Sequence, residues 1–106
     1  MENGAVKLKK LVTNKPLFWT EHAKFKMRQY GLSEARVKRV LRNPIRIEAG
    51  IAPRTVAVMA SASNKKHELW CMYQDTKKER KIIAAWRYPG VSPVRARPPF
   101  PDDIME

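Results

Sequence analysis

The apolar spacing of this chain changes period once, at Asn43-Pro44. Before that point apolar residues recur at intervals of three and four, the spacing of one helix face. After it they alternate every second residue, the spacing of one strand face. Helices first and strands second point to an α+β architecture. At 106 residues there is room for one such domain.

Each half carries its own boundary signals. Leu17-Phe18-Trp19 is an apolar triplet that forms either a short strand or a plug. Thr20 then offers a capping hydroxyl, and Glu21 suits the positive end of a helix. The helix predicted over Glu21–Tyr30 puts Ala23, Met27 and Tyr30 on one face, and Gly31 stops it. Ser33 caps a second helix, with Leu32 and Val37 as its hydrophobic staple. Val37, Val40 and Leu41 form the stripe to be buried, with Arg36, Lys38, Arg39 and Arg42 facing away. Pro44 ends this helix by disfavouring helical geometry at Asn43. Strands are predicted over 45–49, 54–62, 67–73 and 79–87, joined by short polar turns and a turn at Gly50. In the third, Leu69, Cys71 and Tyr73 face away from Glu68, Trp70 and Met72. In the fourth, Ile82, Ala84 and Trp86 oppose Ile83, Ala85 and Arg87. The expected fold is two N-terminal helices packed on one face of a four-stranded antiparallel sheet.

Charge divides the chain differently. Lys and Arg number 22 against 10 Asp and Glu, a formal net charge of +12. Residues 1–42 carry +8, residues 43–88 carry +5, and residues 89–106 carry −1. The expected organisation is a basic lead over 1–16, one domain over 17–88 and a Pro-rich tail over 89–106. Five of the eight prolines fall in that tail, which favours an extended chain. So basic a small domain is suited to a polyanion. No apolar run approaches the ~20 residues of a membrane span, and Met1-Glu2-Asn3-Gly4 lacks a signal peptide's apolar core. A single cysteine, Cys71, excludes an internal disulfide framework. The expected setting is cytoplasmic, with no membrane.

The run His22-Ala23, Lys26-Met27, Gly31-Leu32-Ser33-Glu34, Val37, Val40-Leu41 and Pro44 resembles the bacterial family known as domain of unknown function 4258. The likeness covers roughly residues 18–88. Lys26 stands where arginine is usual, and Tyr30 where a second basic residue is common. Such domains look related to the RelE and ParE toxins, whose core is helices against an antiparallel sheet. The resemblance implies metal-free mRNA cleavage, often on the ribosome, for RelE-like members, and gyrase poisoning for ParE-like ones. It also implies an acidic antitoxin partner.

Metal-free RNA cleavage needs a base, an acid, cations on the phosphate and groups that stack the bases. Histidine titrates near neutrality, and this chain has His22 and His67. His22 shares a helix line with Lys26 and Gln29; it is either a reactive group or a residue packed at the helix–sheet seam. His67, at the end of a polar turn, is expected to be exposed. Arg46 and Arg54 flank the first turn of the sheet, and Arg87-Tyr88 end its last strand. Converged, Arg46, Arg87 and Tyr88 with His22 would form a phosphate clamp with catalytic groups. The alternative is cross-strand pairing of Arg46 or Arg87 with Glu48 or Glu68. Trp70, Trp86, Tyr73 and Tyr88 either stack bases or fill core. Lys26, Arg36, Lys38, Arg39, Arg42 and Arg54 are the candidate nucleic-acid contacts.

No metal site or cofactor is expected. His67 and Cys71 are about 13 Å apart along an extended strand, and there is no CxxC, HExxH or phosphate-cradling glycine loop. Cys71 reads as a core thiol. Three functions stay open: a RelE-like metal-free endoribonuclease toxin, a non-catalytic RNA- or ribosome-binding protein of the same fold, and a protein-interaction module whose tail docks on a partner or on its own body.

Overall fold

Capping hydroxyls set where both helices begin. The computed structural model describes residues 13–62 and 65–94. Most of the basic lead (1–12), the turn residues Ser63 and Asn64, and the tail from residue 95 lie outside the described residues. Helix α1 spans Glu21–Tyr30, and the Thr20 hydroxyl accepts from the Ala23 N–H at 3.1 Å. It ends at Gly31, whose φ of 66° is the left-handed geometry that glycine adopts without a Cβ clash. Helix α2 spans Glu34–Arg42, with the Ser33 hydroxyl accepting from the Arg36 N–H at 3.1 Å. Ala23 and Met27 of α1 and Val37, Val40 and Leu41 of α2 are buried, as their spacing predicts.

The strands are β1 (Leu17–Trp19), β2 (Arg46–Ala49), β3 (Val56–Ser61), β4 (His67–Asp75) and β5 (Arg80–Pro89). They form one sheet in the order β1-β5-β4-β3-β2. The fold is α+β, but the sheet is five-stranded and mixed rather than four-stranded and antiparallel. The Leu17-Phe18-Trp19 triplet supplies the extra strand, parallel to β5, with Leu17 opposite Arg80 and Trp19 opposite Ile82. Thr20 fastens this junction: its N–H and its hydroxyl both donate to Ile82 O, at 3.2 and 2.8 Å. The remaining pairs are antiparallel.

Both sheet faces carry apolar clusters. The larger lies under the helices and includes Met27, Val37, Leu41, Val58, Cys71, Tyr73, Ile82 and Ala85. The smaller, on the helix-free face, comprises Ala57, Met59 and Trp70 with Trp86 packed against them. The alternation predicted for β4 holds. That for β5 does not, because Ile82 and Ala85 share the helix side. A register shift beside Met72/Tyr73 is the cause: Tyr73 pairs with Ile82 and Met72 with Ala84, leaving Ile83 as the extra residue. No helix among the described residues is long and apolar enough to cross a membrane.

Candidate nucleic-acid interface

Arg46 begins β2 on the helix-free face, opposite Met59. Its Nε donates to Glu48 Oε2 at 3.1 Å, and Nη2 donates to the same carboxylate. Nη1 donates to Glu68 Oε2 at 3.3 Å and to Ser92 O at 3.1 Å, and Nη2 to Pro93 O at 2.9 Å. The guanidinium carbon lies 5.2 Å from the Trp70 ring centroid, within cation–π range. Glu68 also accepts from Trp70 Nε1 at 2.9 Å and from the Ser92 hydroxyl at 2.6 Å. Burial works against its charged form. The hydrogen bonds from Ser92 and Trp70, with the Arg46 charge, outweigh that and hold the carboxyl below its ordinary value. This is the cross-strand pairing alternative for Arg46.

Arg87 lies on the other face. It sits opposite Leu69 of the helix-side core, and its Nη2 donates to Tyr30 O at the end of α1, at 3.2 Å. Tyr88 faces the helix-free side opposite Glu68, and is exposed. Successive strand residues point to opposite faces, so Arg87 and Tyr88 cannot enter one groove together. His22 is exposed in the first turn of α1 rather than packed at the seam. The expected convergence of His22, Arg46, Arg87 and Tyr88 is therefore not formed; only Arg46 and Tyr88 share a face. His67 is half-buried rather than exposed, with its Nδ1 unpartnered.

Trp70 and Trp86 stack with ring centroids 5.8 Å apart and planes at 1°. Trp70 is buried core, and so is Tyr73 on the opposite face. Beside the indole pair, a cavity of about 310 Å³ is lined by Ile51, Met72, Tyr88 and Pro93 among others. Burial pushes the Cys71 thiol up to about 12, with nearby Arg80 opposing, so it is a core group rather than a nucleophile.

The candidate phosphate contacts fall on the helical layer. Arg36, Lys38, Arg39 and Arg42 are all exposed on α2. On α1, Lys24 and Arg28 are exposed, and half-buried Lys26 lies 5.8 Å from the Tyr30 ring. Against these seven cations the two helices carry only Glu21 and Glu34. Arg54 is exposed in the turn between β2 and β3, apart from the helical group, at a positive φ of 63°. Among the described residues no group of three or more His, Cys, Asp or Glu is placed to hold a metal.

Comparison with family models, with curated proteins and with solved structures returns no match.

Sequence reasoning missed Arg80. It is only 3% exposed, with a bidentate bond to Asp75 at 2.6 and 2.9 Å and its guanidinium 3.9 Å from the Tyr73 ring centroid. A charge beginning a predicted strand reads as solvated. Its burial comes from β1 and residues 13–16 covering that edge, which the four-strand expectation omitted.

Proposed function

We propose that this chain is a non-catalytic RNA- or ribosome-binding protein, built on the α+β scaffold that its RelE/ParE likeness implies and gripping phosphates with the outer surface of its helices. One observation carries the reading: seven cations against two carboxylates on that surface, four of them within nine-residue α2. Phosphate binding by such a face releases counterions and needs no particular base sequence. A cytoplasmic setting goes with it.

The endoribonuclease alternative is less well supported, because the guanidinium it would use on the phosphate is taken up by Glu48, Glu68 and two carbonyls. An acidic protein partner would use the same basic surface as RNA and would compete with it.

Single-stranded RNA binding, followed by anisotropy across a salt series, tests the reading. Four phosphate contacts predict a log–log slope of about −3, and Arg39→Gln should flatten it by about 0.7. Binding that ignores salt, or none at all, overturns the proposal. Products with 2′,3′-cyclic phosphate ends formed in EDTA would put the nuclease in its place.

A further inference from the structure

One edge of the exposed helix face is hollowed out. Between residues 13–17, α2 and the start of β5 lies a cleft of about 410 Å³. Among the described residues four cations line it: Lys15 from the segment before β1, Lys38 and Arg42 from α2, and Arg80 from β5. No carboxylate is among its lining residues within the described part of the chain, and Leu17 and Leu41 supply apolar wall.

The arrangement is held in place. The Lys15 N–H donates to the Thr13 hydroxyl at 3.1 Å, and its Nζ to Thr76 O at 2.7 Å. The Arg80 N–H donates to Pro16 O at 3.0 Å, tying the leading segment to β5. Lys38 and Arg42 sit one helical turn apart on the same side of α2. Arg80 uses Nε and Nη2 on Asp75, and its Nη1 has no hydrogen-bond partner among the described residues. Asp75 offsets the Arg80 charge, but Nη1 remains uncommitted, and Lys15, Lys38 and Arg42 leave the cleft with a net positive charge suited to an anion. Several oxygens shared between a planar fork and ammonium groups describe a phosphate better than a carboxylate.

We infer that this cleft is an oxyanion site that holds a single phosphate group, seated among Lys15, Lys38, Arg42 and Arg80. The inference deepens the RNA-binding reading and rests on it for the source of the phosphate, a strand's 5′ end or an internal linkage. The cleft's affinity for phosphate itself does not depend on that reading.

The test is an amide NMR titration of the full chain with inorganic phosphate. Saturable shifts are expected first at Lys15, Lys38, Leu41, Arg42 and Arg80. A Lys38→Gln/Arg42→Gln variant should lose phosphate affinity tenfold or more. Lys65→Gln/Lys66→Gln removes the same charge from the turn before β4 and should change affinity less than twofold. All four substituted residues are exposed, so both variants should fold. Equal losses in the two variants, or shifts spread evenly over both helices, overturn the site. With RNA, tighter binding of a 5′-phosphorylated strand than its 5′-hydroxyl twin, at these same resonances, assigns the terminal phosphate; equal binding there assigns an internal one. Phosphate bound in the cleft with no RNA binding sinks the RNA reading and keeps the site. RNA bound with the expected salt slope, but with no saturable phosphate shifts at these resonances, sinks the cleft and keeps the RNA reading.

Discussion

The Arg46 guanidinium has five N–H groups and makes five hydrogen bonds, to two carboxylates and two carbonyls. Arg46→Ala would take the shared cation away from the two buried carboxylates of Glu48 and Glu68. Removing one partner of a buried ion pair is strongly destabilising, so a loss of about 3 kcal/mol or more is expected in urea unfolding. Glu68 adds a pH dependence. Its folded pKa lies below its ordinary 4.5, so its contribution is fully present above pH 4.5 and is lost as pH falls through the folded value. Urea midpoints of wild type and Glu68→Gln should therefore differ at pH 7 and converge toward acid; a constant gap would contradict the assignment. Cys71 makes the opposite kind of prediction. With its thiol pushed up to about 12 and fully buried, iodoacetamide should label it at pH 8 only as fast as the protein opens, and at once in denaturant.

At the scale of elements, Thr20 and Ser33 are matched caps with unequal duties. Ser33→Ala removes one capping bond and should cost about 1 kcal/mol. Thr20→Ala also removes the hydroxyl's bond to Ile82 O, and should cost more and speed amide exchange in β1. Gly50→Ala should be destabilising as well, because a Cβ there would lie 1.9 Å from Thr55 Oγ1. The helices were legible because their signals are local: a hydroxyl, a glycine, an apolar stripe. β1 was half-legible: its apolar triplet reads as a strand or a plug, since three residues are too few to show a period. The β5 faces were half-legible, because Ile82-Ile83-Ala84-Ala85 is apolar throughout and only pairing with β4 reveals where the bulge falls. The basic face of α2 could be read from the sequence, whereas Arg46 stayed ambiguous between clamp and ion pair. That ambiguity is a matter of register and of the Ser92-Pro93 segment, neither of which local spacing encodes.

For the whole molecule, the contacts that close the sheet join distant parts of the chain. Thr20 reaches Ile82 across 62 residues, and Arg46 reaches Pro93 across 47. A chain ending at residue 78 lacks β5, and with it the partner of both β1 and β4; it is expected to be protease-sensitive throughout. One ending at residue 89 retains all five strands but loses the Ser92 and Pro93 contacts, and should fold with a lower melting temperature. These truncations bear on biosynthesis. Because β5 lies between β1 and β4 in the sheet, the earliest strand made waits for the last one, and the helices have only part of a floor to settle on in the meantime. Such non-local pairing slows folding and leaves apolar surface uncovered during synthesis. On a nascent chain of this composition, the basic first half emerges well before the strand that organises it.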